Sequence, residues 1–270
     1  MAFGGCLKSD PNRPGCRCES ASALGVPDID WAAPWLQNWR AWGEPIARQI
    51  VAGNPQPEAL NQAGRAPVRF VPQSDLPEGW AYEDFIFTHG QVPTREGLHD
   101  FFNALCWMHF PQAKKRLNQL QALEIARAGV GQVRGAVRDA ATVFDENALL
   151  IQPSDALWAA LTEHRWLDAF VGLRDDWQHT RLWAFGHAAL EKAVQPYKSM
   201  TVHLWRVPLS LAPADIDAWL AQDLSAEKLS RKPFSPLPVL GVPGWWAANQ
   251  DPTFYDDPQV FRPRRVKVSA

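Results

Sequence analysis

The chain has 270 residues, of which 46% are hydrophobic and 21% charged, and a formal net charge of -2. That length can bury one large core or two small ones, and that charge argues against a protein whose main work is coating nucleic acid. No apolar run reaches the roughly 18 residues that a membrane-crossing helix needs, so no membrane partner is expected.

The opening Met-Ala-Phe-Gly-Gly-Cys lacks the basic and apolar segments of a secretory signal, which makes the cytoplasm the expected location. Residues 1–28 read as a flexible tail. Its Cys6, Cys16 and Cys18 match no metal-knuckle spacing. Trp31, Trp35, Trp39 and Trp42, continued by Ile46 and Ile50, form a stripe at helical spacing that reads as core, with Pro45 predicting a kink or a break.

Residues 98–111 follow as a strongly apolar helix, with Thr94 as expected N-cap and Pro111 at its end. Leu98, Phe101, Phe102, Leu105 and Met108 make its apolar stripe. His99 and Asn103 stand four apart beside that stripe, so they share a face and can converge on one ligand, provided they do not simply satisfy neighbouring backbone. Cys106 reads as a small core residue. Gln112 to Ala128 predicts a second helix with Lys114, Lys115 and Arg116 mostly outward, and Gly129 to Gly135 a loop.

Ala141–Phe144 and Ala148–Gln152 read as strands joined by a tight turn at Asp145-Glu146-Asn147, whose carboxylates would point into water. A helix over 154–171, a strand over 180–185, a helix over 188–194 and a strand over 200–207 come next. Strand, Gly186, helix and strand in succession place His187 at a helix start, Glu191 one turn on, and His203 on the following strand. These three form the His/carboxylate grouping whose spacing suits acid/base work or a divalent ion. After a short helix at 213–220, repeated prolines up to Pro263 predict an irregular C-terminal wrap that buries Trp245 or Trp246, ending in a basic, solvated tail.

These elements predict an α+β protein: a flexible tail at 1–28, a single domain at 29–265 with a small sheet, an interior helix and the Pro/Trp-rich wrap, and a second tail at 266–270.

The stretches H-D-F-F-N-A-L-C-W-M-H-F-P, R-D-A-A-T-V-F-D-E-N, G-H-A-A-L-E-K and L-P-V-L-G-V-P-G-W-W resemble a bacterial family known only as a domain of unknown function, over about Trp31 to Arg265. The resemblance supplies no activity. It implies that His99, Asp100, Asn103, Arg138, Asp139, Asp145, Glu146, His187, Glu191 and Lys198 belong to the family pattern. Ala148 stands where that pattern has Gly, and Ala189 replaces a bulkier aliphatic residue.

Two classes of function are compatible with this reading. One is a hydrolase or transferase acting on an anionic small molecule, with His187, Glu191, His203, His99 and Asn103 as catalytic candidates and Arg138 and Asp139 holding the substrate. The other is a non-catalytic structural or protein-interaction module whose polar residues knit the core. The sequence names no cofactor or protein partner, and leaves metal dependence open.

Overall fold

The computed structural model describes residues 25–128 and 135–264. Most of the N-terminal tail with Cys6, Cys16 and Cys18, most of the 129–135 loop and the tail after Arg264 lie outside the described residues.

The tryptophan stripe becomes α1 (Gln37–Val51), which runs through Pro45 without a break. The lost backbone bond there is offset by the face that buries Trp39, Ile46 and Ala47. Trp39 is fully buried, while Trp31, Trp35 and Trp42 pack half-buried against the same core. Then follow α2 (Gln56–Gln62), β1 (Arg69–Pro72), α3 (Tyr82–His89) and β2 (Gln91–Thr94), with β1 and β2 pairing in parallel. Helix α4 (Leu98–His109) is buried along nearly its whole length, as its composition predicts. Its N-cap is Gly97, not Thr94, whose hydroxyl instead donates to the Val92 carbonyl.

The chain continues through α5 (Pro111–Ala128), α6 (Ala136–Asn147) and β3 (Ala148–Gln152). Here the expected hairpin is wrong: residues 141–147 are helix. Ala140, Ala141 and Phe144 are buried at a spacing only a helix provides, and β3 starts directly from its end. Ala148, extended at φ -75°, needs no glycine there.

Helix α7 (Asp155–Thr162) is shorter than expected, because the chain turns through His164 at φ 58° before another helical turn over Asp168–Gly172. β4 (Arg181–Ala184), α8 (His187–Lys192), β5 (Thr201–Arg206), α9 (Ile216–Asp223), α10 (Ala226–Ser230) and β6 (Ser235–Pro238) complete the order. The larger sheet runs β4-β3-β5-β6, with β3 parallel to β5 and antiparallel to β4. Alternation along β3 sends Ala148 and Leu150 to one apolar cluster and Leu149 and Ile151 to another, so the sheet is covered on both faces.

The C-terminal wrap is anchored by a polar residue. Asn249 is fully buried and donates to the carbonyls of Leu240 and Val242, whereas Trp245 is half-buried and Trp246 exposed. Among the described residues, no helix is long and apolar enough to cross a membrane.

Candidate functional site

Helices α3, α4, α5 and α6, with the start of α8, enclose a cavity of about 480 Å³. Its apolar part is lined by Leu76, Ile86, Trp107, Leu117 and Ile125, and its polar part by side chains from all five helices. On α6, Arg138, Thr142, Asp145 and Glu146 reach it together because their spacing puts them on one helical face.

A chain of polar contacts crosses the wall. Glu191 Oε2 lies 2.8 Å from His99 Nδ1, and His99 Nε2 lies 3.2 Å from His187 Nε2. His187 Nδ1 is 2.8 Å from the Asp145 carbonyl oxygen and 3.7 Å from Asp145 Oδ2. Asp145 Oδ1 accepts from Lys114 Nζ at 2.6 Å, and the same ammonium donates to Asn103 Oδ1 at 2.8 Å. Asn103 Nδ2 in turn donates to the Tyr82 hydroxyl at 3.2 Å.

The protons follow from the partners. Oxygens of Asp145 and Glu191 face the two Nδ1 atoms, so each Nδ1 carries hydrogen. The two Nε2 atoms, which carry the lone pairs, then face each other. Burial drives His187 down to about 4, and the neighbouring Lys114 ammonium acts in the same sense, so its imidazole is neutral at neutral pH. Burial raises the Asp145 carboxyl, but Lys114, together with His187 and His99, more than reverses this and holds it below the usual carboxylate range. Burial and the nearby Asp145 charge raise Glu83, and burial raises Tyr82 well above the ordinary phenol.

Gly186 sets His187 in place. Its N–H and that of Phe185 both donate to the Ala148 carbonyl, and a Cβ there would sit 2.5 Å from Asn147 Cα and 2.6 Å from the Glu146 oxygen. Glycine is required by this backbone contact. Gly186→Ala is expected to cost about 1 to 3 kcal/mol by forcing α6 and α8 apart. Thermal unfolding at the wild-type midpoint would show that the contact yields freely.

Of the residues predicted for the site, His99, Asn103, Arg138 and His187 line this one cavity, and Glu191 joins them through His99. His203 and Asp139 do not. His203 lies on β5 against the Phe234 ring, and Asp139 pairs with Lys232 at the surface. The expected grouping of His187 and Glu191 with His203 therefore does not form, and no cluster of three metal-ligating side chains exists among the described residues. Cys106 is core, as expected; it donates to the Phe185 carbonyl, and burial pushes its thiol up.

Lys114 and Asp145 were expected in solvent and are instead a buried pair. The signal for Lys114 was its spacing, three residues before inward Leu117 and four before Asn118. Arg95, paired to Asp100, and Glu83, held by Asn118 at 2.7 Å, are further wall residues that no motif marked.

The fold and site thus define a mixed α+β protein with a helix-walled polar cavity centred on two facing histidines. The chain belongs to the family described as "Protein of unknown function (DUF3025)", whose model matches residues 68–265. The match begins well after Trp31. No curated protein and no solved structure matches the chain.

Proposed function

We propose that the chain is an enzyme that binds an anionic small molecule in the α3–α6 cavity and carries out hydrolysis or group transfer there. The observation that carries this reading is Arg138. Its Nε is buried without a hydrogen-bond partner, while the other two cations of the wall, Arg95 and Lys114, are each paired to a carboxylate. A donor left unsatisfied at a cavity wall is what an incoming anion would satisfy.

The histidine pair supplies the proton handling. His187, fixed in its Nδ1–H form by the Asp145 carbonyl, offers Nε2 as acceptor, and His99 connects it to Glu191. His99 also lines a second hollow of about 440 Å³ with Gly97 and Glu191, so a proton has a route out of the cavity. An anion bound beside Lys114 would raise the basicity that Lys114 depresses. Water or a second substrate would serve as the nucleophile.

A panel of small carboxylates and phosphates, screened by thermal shift, tests the reading. At least one compound should raise the wild-type Tm, and Arg138→Ala should weaken its binding by about 10- to 100-fold, the worth of a charged hydrogen bond, with little change in ligand-free stability. A ligand that binds Arg138→Ala as tightly as wild type would refute the anion anchor, and a large loss of stability would assign Arg138 to the scaffold.

A further inference from the structure

The two histidines face each other in a way that a shared proton explains poorly. Their ring centroids are 4.6 Å apart, with the planes at 78°. In a straight N–H···N bond the two lone-pair axes are collinear, and the centroids lie farther apart than the nitrogens by two ring radii. Here the centroids lie only about 1.4 Å farther apart than the nitrogens, little more than one radius, so the two axes are not collinear. A bent facing of this kind is what one atom bound to both nitrogens requires.

Two imidazole nitrogens each about 2.1 Å from one ion, and separated by the 3.2 Å seen here, subtend roughly 100° at it, within the range of tetrahedral and octahedral ligand pairs. The other ring nitrogens complete the pattern: metal-bound histidines donate their second N–H to a carboxylate or a backbone carbonyl. His99 has the Glu191 carboxylate in that place and His187 the Asp145 carbonyl.

We infer that His99 and His187 together bind one divalent transition ion of the imidazole-preferring class, such as Zn²⁺ or Co²⁺. With two protein ligands, the remaining positions fall to water and to an anionic oxygen of whatever occupies the cavity. This deepens the preceding reading: it keeps the cavity and the Arg138 anchor, and places a metal ion between the two Nε2 atoms. The expected trio of His187, Glu191 and His203 is not revived, since Glu191 serves here only to orient His99.

The test needs no substrate. Protein stripped with a chelator is titrated with Co²⁺, following visible ligand-field absorption, with stoichiometry checked by elemental analysis. The expected result is one ion per chain, displaced by Zn²⁺, and an affinity that falls as pH is lowered because the ion displaces a proton. His99→Ala should abolish the signal while unfolding near the wild-type Tm, since that side chain is 39% exposed; His99→Gln serves if the alanine variant does not fold. Glu191→Gln should weaken binding by about 10- to 100-fold, the usual effect of removing an orienting partner. No bound ion in wild type, or equal binding in the His99 variant, overturns the inference. Either result leaves the Arg138-dependent anion binding to stand or fall on its own titration.

Discussion

Replacing Lys114 by Met is expected to destabilise the protein by about 3 to 5 kcal/mol, the cost of leaving one partner of a buried ion pair without the other. The Lys114 side chain is 4% exposed and that of Asp145 13%, so little water is at hand to take over. The ammonium is also the donor to Asn103 Oδ1 and lies over the Trp107 ring at 5.4 Å, so its loss strands a carboxylate and an amide oxygen together. Met keeps most of the stem's packing volume, which limits the effect to charge and hydrogen bonding. Neutralising both ends, as Lys114→Met with Asp145→Asn, should recover a large part of the loss, because the desolvation of both ions is then no longer borne. Urea unfolding of the two single variants and the double variant measures this. A single-variant loss below about 1 kcal/mol would place the pair with hydrated surface pairs and remove it as the anchor of the cavity floor.

Much of the site was legible because its chemistry follows helical spacing. His99 and Asn103, four apart on a helix too apolar to be solvated, do line one cavity, and Gly186-His187 does mark a sharp entry into α8. The failures have physical causes of their own. Residues 138–147 carry Val143 and Phe144 beside an Asp-Glu-Asn run that is good turn chemistry, so a hairpin looked natural locally. The tertiary structure decides otherwise by burying Ala140, Ala141 and Phe144, and the α6 helix then carries Arg138, Thr142 and Asp145 to the cavity on one face. Lys114 was set outward with its cluster Lys114-Lys115-Arg116, although adjacent residues on a helix point about 100° apart and need not share an environment. His203 shows the reverse error. A histidine near the right elements was grouped by order along the chain, but β5 turns it toward Phe234. No single-sequence signal joins Lys114 to Asp145, because that contact depends on how α5 and α6 cross.

In metal-free buffer, stability should fall as the pH drops from about 6.5 to about 4, and His187 should account for a distinct part of the slope. Its folded-state value is depressed to about 4 from 6.5. Between those two pH values the unfolded chain binds a proton at His187 that the native protein refuses, so ν_U exceeds ν_N and the unfolding free energy rises with pH. At about 1.4 kcal/mol per pH unit, the window is worth on the order of 3 kcal/mol for this residue. His109, also driven to about 4 by burial with Arg65 adding to it, acts in the same direction. Glu83 opposes them, because its raised carboxyl keeps a proton in the folded state that the unfolded chain has already released. Asp145, held low by Lys114, keeps its contribution across this window and loses it only in stronger acid. The His187 share is therefore isolated by difference. Denaturant unfolding of wild type and His187→Gln at several pH values should give a steeper dependence for wild type, whatever the offset at neutral pH, and His109→Gln should flatten the remainder independently. Parallel curves for wild type and His187→Gln from pH 6.5 to 4 would mean that His187 is protonated in the folded protein, and the neutral Nε2 on which both the acid/base and the metal readings depend would be lost.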